Sequence, residues 1–223
     1  MTTRNLRISL TPEQQVSGLL DAPALPHACL VLAHGAGAGM QHPFMAAVAA
    51  GLVARGIAVL RYQFLYMELG SKRPDRPPLA HTAVRAAVEA ARAKLPGVPL
   101  FAGGKSFGAR MTSQAQAAGP LPEARGLVFF GFPLHLAGKP SDERAVHLAE
   151  VKIPMLFLQG TKDKLAEPEL LEPVVARLKK RATLHMVEHA DHSFHVPVRS
   201  GRKDSQVLDE LLDTAAGWMQ KLA

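Results

Sequence analysis

Residues 99–118 read PLFAGGKSFGARMTSQAQAA, and everything else in the chain is placed relative to them. A short apolar run at 100–102 breaks at Gly103 and Gly104, presents Lys105 and Ser106, and resumes beyond Gly108 with helical periodicity. The pattern predicts a strand, a sharp turn and a helix. Gly104-Lys105-Ser106-Phe107-Gly108 fits G-x-S-x-G, the elbow in which a serine on a strained strand-to-helix turn projects its hydroxyl above a sheet. The glycines have a steric reason: strand and helix pass so closely that a Cβ two residues either side of the serine would meet backbone.

Two other readings of this stretch are weaker. Ser106 could simply cap an ordinary helix. The GKS triplet also ends phosphate-binding loops, but G-x-x-x-x-G-K-[ST] needs glycine at 99, where Pro99 stands, and the residues between are apolar and strand-like.

Composition bounds the class. A chain of 223 residues, 48% hydrophobic and 20% charged, can bury a sizeable core and is expected to form a single domain over residues 1–223. The opening MTTRNLRISLTPEQQ lacks the apolar centre of a secretion signal, and no run approaches the roughly 18 apolar residues of a membrane span. A cytoplasmic location with no membrane span is the expectation. Cys29 is the sole cysteine, set in an apolar run, and reads as a buried structural thiol. The net charge of +7 is dispersed and only 5% of residues are aromatic, so nucleic-acid binding is not expected. Most of the positive excess is expected to be solvated surface, and the alternative reading is an anionic small-molecule substrate or partner.

Outward from the elbow, strands and helices alternate. Residues 5–20 suggest a hairpin around Thr11-Pro12, and ACLVLAH a strand buried on both faces. The loop His34-Gly35-Ala36-Gly37-Ala38-Gly39 follows, then a helix from about Pro43 to Ala54 and the strand IAVLRYQF. A dinucleotide fingerprint fails there, because Met40 replaces the last glycine and no acid ends the second strand. LYMELGSKRPDRPP reads as a polar loop carrying Lys72, Arg73 and Arg76, and LAHTAVRAAVEAARAKL as a helix with Arg85, Glu89 and Arg92 on one exposed face. After the elbow come a strand from Gly126, a short helical stretch to Glu150, a strand from Pro154, a helix, the strand ATLHMVEH and a C-terminal helix anchored by Trp218. Some twenty residues before Pro154 are too few for a separate cap. The alternation predicts a mostly parallel sheet with helices on both faces.

The order of three residues then carries the chemistry. Ser106 lies at the elbow, Asp163 just after a later strand, and His192 just after the last one, the Ser…Asp…His sequence of an acyl-transfer triad. The chain resembles serine α/β-hydrolases, specifically the small capless hydrolases related to dienelactone hydrolases that share LAHGAG, a GGKS[FM]G elbow and a GxxD…ADHSF ending. Ala109 departs from the glycine of GGKSMGGR-like members. The resemblance implies an α/β-hydrolase fold and cleavage of an ester or thioester through an acyl-enzyme, without cofactor or metal.

In that scheme His192 takes the serine proton and returns it to the leaving group, and Asp163 orients the imidazole. The N–H groups of Phe107 and Ala36, with Gly37 as the alternative to Ala36, receive the oxyanion. Lys105, Arg110 and Arg73 are candidate substrate contacts, with a structural ion pair the stronger expectation for Arg110 and plain exposure for the loop carrying Arg73; Lys105, a cation near a helix N-terminus, is expected to pair with an acid or with substrate. Glu167 is the reserve acid, Asp191 a weaker one, and His34 is expected to hold its loop by a hydrogen bond. The competing functions are a non-catalytic scaffold that binds a partner through its basic loops, and a hydrolase of C–C or peptide bonds.

Overall fold

The computed structural model describes residues 2–223. Strands β1 (Thr2–Ser9) and β2 (Gln15–Ala22) form the opening hairpin, its turn closed by the N–H groups of Leu10 and Thr11 on the Gln14 carbonyl. β2 then runs antiparallel to β4 (Ile57–Tyr62). The remaining strands, β3 (Ala28–Ala33), β5 (Leu100–Lys105), β6 (Ala124–Phe130), β7 (Met155–Gly160) and β8 (Ala182–Val187), are parallel to β4 and to one another. The order across the sheet is β1-β2-β4-β3-β5-β6-β7-β8. Chain order therefore reverses at β3, with β4 on one side and β5 on the other, and the crevice outside the carboxyl ends of β3 and β5 is where an open α/β sheet places its ligands.

Residues alternate between two cores, as strand geometry demands. Cys29, Val31 and Ala33 of β3 face α3 (Pro77–Lys94), α4 (Phe107–Ala118) and α5 (Pro168–Leu178), whereas Ala28, Leu30 and Leu32 face α1 (Pro43–Ala54) and α6 (Asp204–Gln220). β3, β4 and β7 are buried from end to end, which is why they read as continuous apolar runs. Each buried Leu, Ile or Phe contributes about 1.5–3 kcal/mol of transfer free energy. Trp218 packs on the sheet where Gly126 leaves room: a Cβ there would lie 2.6 Å from its ring.

Two expectations need correction. The segment after β4 is not all loop, because Leu65–Glu68 forms a helical turn, α2, whose Leu65 and Tyr66 are buried while Glu68 accepts from the Ser17 N–H and from Arg7. Arg85 does not share the exposed face of Glu89 and Arg92. Those two pair at 2.9 Å, but Arg85 turns under α4 and donates to the carbonyls of Ala115, Gly119 and Pro120. Helix C-termini leave carbonyls without intrahelical donors, and a guanidinium fork satisfies several at once.

Between β6 and β7 the chain forms only loop and a 3-10 turn, Glu143–Glu150, so the carboxyl edge of the sheet carries no cap.

Candidate active site

Ser106 occupies the turn from β5 into α4 with φ 52° and ψ −110°, a backbone conformation that costs a non-glycine residue about 1–3 kcal/mol. Its neighbours hold it there. The Ser106 N–H donates to Phe130 O at 3.2 Å and its carbonyl accepts from the Arg110 N–H at 3.1 Å. A Cβ on Gly104 would lie 2.6 Å from Ala33 O, and one on Gly108 2.4 Å from the same atom. Strand β3, the elbow strand and α4 thus meet at a spacing only glycine permits. Ala109 is fully buried at the start of α4.

Above this turn the structure brings Ser106, His192 and Asp163 together from three separate segments. His192 Nε2 lies 2.8 Å from Ser106 Oγ, and its Nδ1 lies 2.6 Å from Asp163 Oδ2. Asp163 is 1% exposed. Its Oδ1 accepts from the Leu165 N–H at 2.8 Å, and its Oδ2 also accepts from the side-chain amide of Gln159. Gln159, buried at the end of β7, is fixed in turn by the Phe132 N–H on its Oε1 at 2.9 Å. The carboxylate is therefore held by three donors, and the ring nitrogen facing it must carry the proton, leaving Nε2 free to accept from the serine. Gly160 lets the Asp163 turn pass beneath the His192 loop, since a Cβ there would lie 2.2 Å from Ala190 O.

The loop after β3 is pinned at every few atoms. His34 donates from Nδ1 to Gly35 O at 2.7 Å and accepts from the Phe64 N–H at Nε2, at 3.1 Å. Burial pushes its pKa down to about 4, so the ring is neutral, as that donor-acceptor pairing requires. The Gly37 N–H is taken by the Tyr66 hydroxyl at 2.9 Å, and the Met40 N–H by Gln63. Arg61, in a buried ion pair with Asp21 at 2.7 Å, holds the Met40 carbonyl. Among the described residues no protein acceptor takes the N–H of Ala36 or of Phe107. Of the two alternatives for the loop donor, Ala36 keeps its N–H available and Gly37 does not.

Ser106 sits at the waist of a cleft with two lobes. One, of about 300 Å³, is lined by Ala38, His42, Phe44, Met45, Lys105 and Ser193. The other, of about 390 Å³, is lined by Pro74, Asp75, Phe107, Arg110, Pro133 and Arg144. Ala36 and Leu165 border both.

The candidate substrate contacts separate accordingly. Arg110 lines the second lobe. Arg73 is exposed on the loop before α3 and lines neither lobe. Lys105 borders the first lobe but, among the described residues, pairs with no acid, contrary to expectation. Its ammonium donates to the main-chain carbonyl of His192 and lies 5.2 Å from the centroid of the Phe194 ring. Burial pushes its pKa down to about 8, partly offset by the negative charges of Asp163 and Asp191. The reason is geometric: the elbow turns the side chain away from α4 and under the His192 loop, where a carbonyl and aromatic faces are the available partners.

The rival residues are engaged elsewhere. Glu167 receives His135 at 2.5 Å, and Asp191 accepts from the N–H groups of Ser193 and His195 within its own turn. His185 pairs with Glu210 and His195 with Asp204. Among the described residues no cluster of three His, Cys, Asp or Glu side chains could hold a metal ion, and no helix is long and apolar enough to cross a membrane. Gln159, Tyr66 and Arg144 are the side chains at the site that the sequence did not single out. Gln159 had one signal, an amide closing the otherwise apolar run MLFLQG.

The alpha/beta hydrolase domain model matches residues 26–220. The chain belongs to the alpha/beta hydrolase family. Solved structures of similar shape agree on this alpha/beta hydrolase fold. A lidless serine hydrolase from Xanthomonas campestris is 24% identical, with a TM-score of 0.76 over 97% of this chain and 94% of its own. A dienelactone hydrolase from Anabaena variabilis is 20% identical, with a TM-score of 0.79 over 99% and 98%. A cold-adapted esterase from an Arctic intertidal metagenomic library is 20% identical, with a TM-score of 0.67 over 99% and 94%.

Proposed function

We propose that this alpha/beta hydrolase, acting as a single domain, is a serine hydrolase that cleaves an ester or thioester through an acyl-enzyme. The observation that carries the reading is the continuous chain from Ser106 Oγ to His192 Nε2 at 2.8 Å and from His192 Nδ1 to Asp163 Oδ2 at 2.6 Å. Serine is a poor nucleophile at neutral pH, so attack requires that Nε2 take its proton as the Oγ–C bond forms. The oxyanion then falls to the N–H groups of Phe107 and Ala36, each worth about 3 kcal/mol in a preorganised site. His192 returns the proton to the leaving alcohol or thiol, and water, deprotonated by the same nitrogen, releases the acid. Asp163 holds the tautomer throughout and stabilises the transient imidazolium. The two lobes meeting at Ser106 suit a substrate whose acyl and leaving groups extend in opposite directions from one carbonyl.

Intact-mass spectrometry after exposure to a fluorophosphonate tests the assignment. The expected result is one adduct on the wild type and none on Ser106→Ala, together with loss of ester turnover by about 10⁴-fold or more in the variant. Equal labelling of both proteins, or unchanged turnover, would overturn it.

A further inference from the structure

The second lobe of the cleft holds two arginines without a carboxylate partner. The other half-buried or buried arginines have their forks engaged, Arg61, Arg55 and Arg202 by Asp21, Asp213 and Glu210, and Arg85 and Arg181 by two or three main-chain carbonyls each. Arg110 and Arg144 form no ion pair among the described residues, although both line the space beside Ser106. Arg110 is half-buried, its guanidinium carbon 6.0 Å from the centroid of the Phe107 ring, and its Nε is buried with no hydrogen-bond partner among the described residues. Arg144 donates once, to His135 O at 3.1 Å, which leaves the rest of its fork unspent.

The surroundings do not neutralise this pair. Burial and the facing Arg144 both push the Arg110 pKa down, so the two cations repel. His147, hydrogen-bonded to Ser113 Oγ at 2.8 Å, is kept neutral with a pKa pushed down to about 4 by burial and by Arg110, and His81 is shifted the same way. One carboxylate, Asp75, borders the lobe, but its oxygens accept from the Tyr66 N–H at 3.1 and 3.3 Å and it reaches neither guanidinium. The lobe therefore holds two positive charges against one engaged negative charge, in a partly desolvated space where such charges act strongly. A fold gains nothing by placing like charges together at this depth; a bound anion would satisfy both.

We propose that Arg110 and Arg144 form an anion subsite for a carboxylate carried by the substrate, so that the natural ester or thioester is one with a free carboxylate on one limb. The ester linkage rests on the hydrolase reading, whereas the carboxylate rests on the two arginines alone. Guanidinium forks bind carboxylates through paired charge-assisted hydrogen bonds, a stronger and more directional contact than a lysine offers. Arg110 follows Ser106 by one helical turn and lines the same lobe, so an anion held there belongs to the molecule whose carbonyl lies over the serine.

Two measurements separate the claims. The first is binding of glutarate, which cannot be hydrolysed, to the wild type and to Arg110→Gln, Arg110→Lys and Arg144→Gln, followed by isothermal titration calorimetry, with Lys72→Gln as an exposed-charge control. The expected result is saturable binding weakened at least tenfold by Arg110→Gln and by Arg144→Gln, less by Arg110→Lys, and not by Lys72→Gln. Thermal melts of each variant distinguish lost binding from lost folding, and Arg144→Gln, on the half-exposed 3-10 turn, is the variant least exposed to that ambiguity. Binding equal in the wild type and in both Gln variants would overturn the subsite.

The second is the ratio of kcat/KM for a carboxylate-bearing ester to that for its neutral counterpart. On the acyl limb the pair is the 4-nitrophenyl half-ester of glutarate and 4-nitrophenyl pentanoate; on the alcohol limb it is the acetyl ester of 4-hydroxybutyrate and butyl acetate. The wild type is expected to prefer the anionic member of one pair at least tenfold, and each Gln variant to lose that preference. Cleavage of the neutral esters with no preference in either pair would overturn the subsite and leave the hydrolase reading standing. Arginine-dependent glutarate binding without any fluorophosphonate adduct would do the reverse.

Discussion

Lys105 donates its ammonium hydrogen to the main-chain carbonyl of His192, whose ring in turn reaches the hydroxyl of Ser106, the residue next to Lys105 in the chain. The elbow thus carries a tie to the loop that must deliver the imidazole, and His192 is fixed at both its backbone and its ring. Removing the tie in Lys105→Met keeps the stem's packing and leaves Ser106, Asp163 and His192 unaltered. The expected outcome is a kcat lowered about ten- to a hundredfold for a neutral ester, with KM changed little, because a shift of about 1 Å in the base is enough to cost that much. Steady-state kinetics with the KM and kcat effects separated provide the check. A KM effect alone would mean that Lys105 contacts substrate instead.

The same lysine predicts an alkaline rise in stability. Its pKa is pushed from 10.5 in the unfolded chain to about 8 in the fold. Between those two values the unfolded state holds the proton and the folded state has lost it, so the free energy of unfolding increases with pH. The increment is on the order of 3 kcal/mol by pH 10.5. Denaturant unfolding at pH 7.5, 9 and 10.5 should show it as a difference between the wild type and Lys105→Met, with the variant the more stable protein at pH 7.5 and the gap narrowing upward. A gap constant with pH would mean that the ammonium is not desolvated.

Glycines separate into those that hold the site and those that do not. Gly104→Ala and Gly108→Ala each drive a methyl against the Ala33 carbonyl, at 2.6 and 2.4 Å, and neither contact has a flexible side chain to yield. A loss of stability on the order of 3 kcal/mol or more is expected, with Ser106 displaced and fluorophosphonate labelling slowed. Gly217, inside α6 with nothing within 4 Å of its missing Cβ, should behave oppositely. Gly217→Ala is expected to stabilise by about 0.5–1 kcal/mol, the ordinary helix-propensity gain. Melting curves of the three variants test both signs together.

Much of this architecture was legible because the informative residues obey local rules. The buried strands announced themselves as unbroken apolar runs, and the elbow as glycines flanking Ser106, since strand period and steric exclusion act over a few residues. Asp163 and His192 could be chosen because each follows a strand that the parallel sheet brings to one edge. What escaped were relations set by packing between distant segments. Nothing near Lys105 in sequence shows that the elbow turns its side chain toward a carbonyl 87 residues away. Arg85 looked like a member of an exposed charged face until α4 placed its final carbonyls beside it. The Tyr66 hydroxyl on Gly37, which leaves Ala36 as the available donor, depends on a helical turn hidden in a segment rich in proline and charge.

His34 makes the acid side of the stability profile predictable. Its ring holds the Gly35 carbonyl through Nδ1 and accepts from Phe64 through Nε2, an arrangement the imidazolium cannot keep because it has no acceptor. Burial lowers its pKa from 6.5 to about 4. As pH falls through that window the unfolded chain takes up a proton that the fold refuses, so stability present above pH 6.5 is lost toward pH 4, by up to about 3 kcal/mol. A glutamine at this position offers a donor and an acceptor and does not titrate. His34→Gln is therefore expected to flatten the slope of unfolding free energy between pH 6.5 and 4.5, at the cost of some stability at neutral pH. Because His34 anchors the loop that carries Ala36, ester turnover in the variant should also fall, without loss of the fluorophosphonate adduct on Ser106. An acid slope identical in the two proteins would place the sensitivity elsewhere, His147 being the other imidazole whose pKa lies near 4.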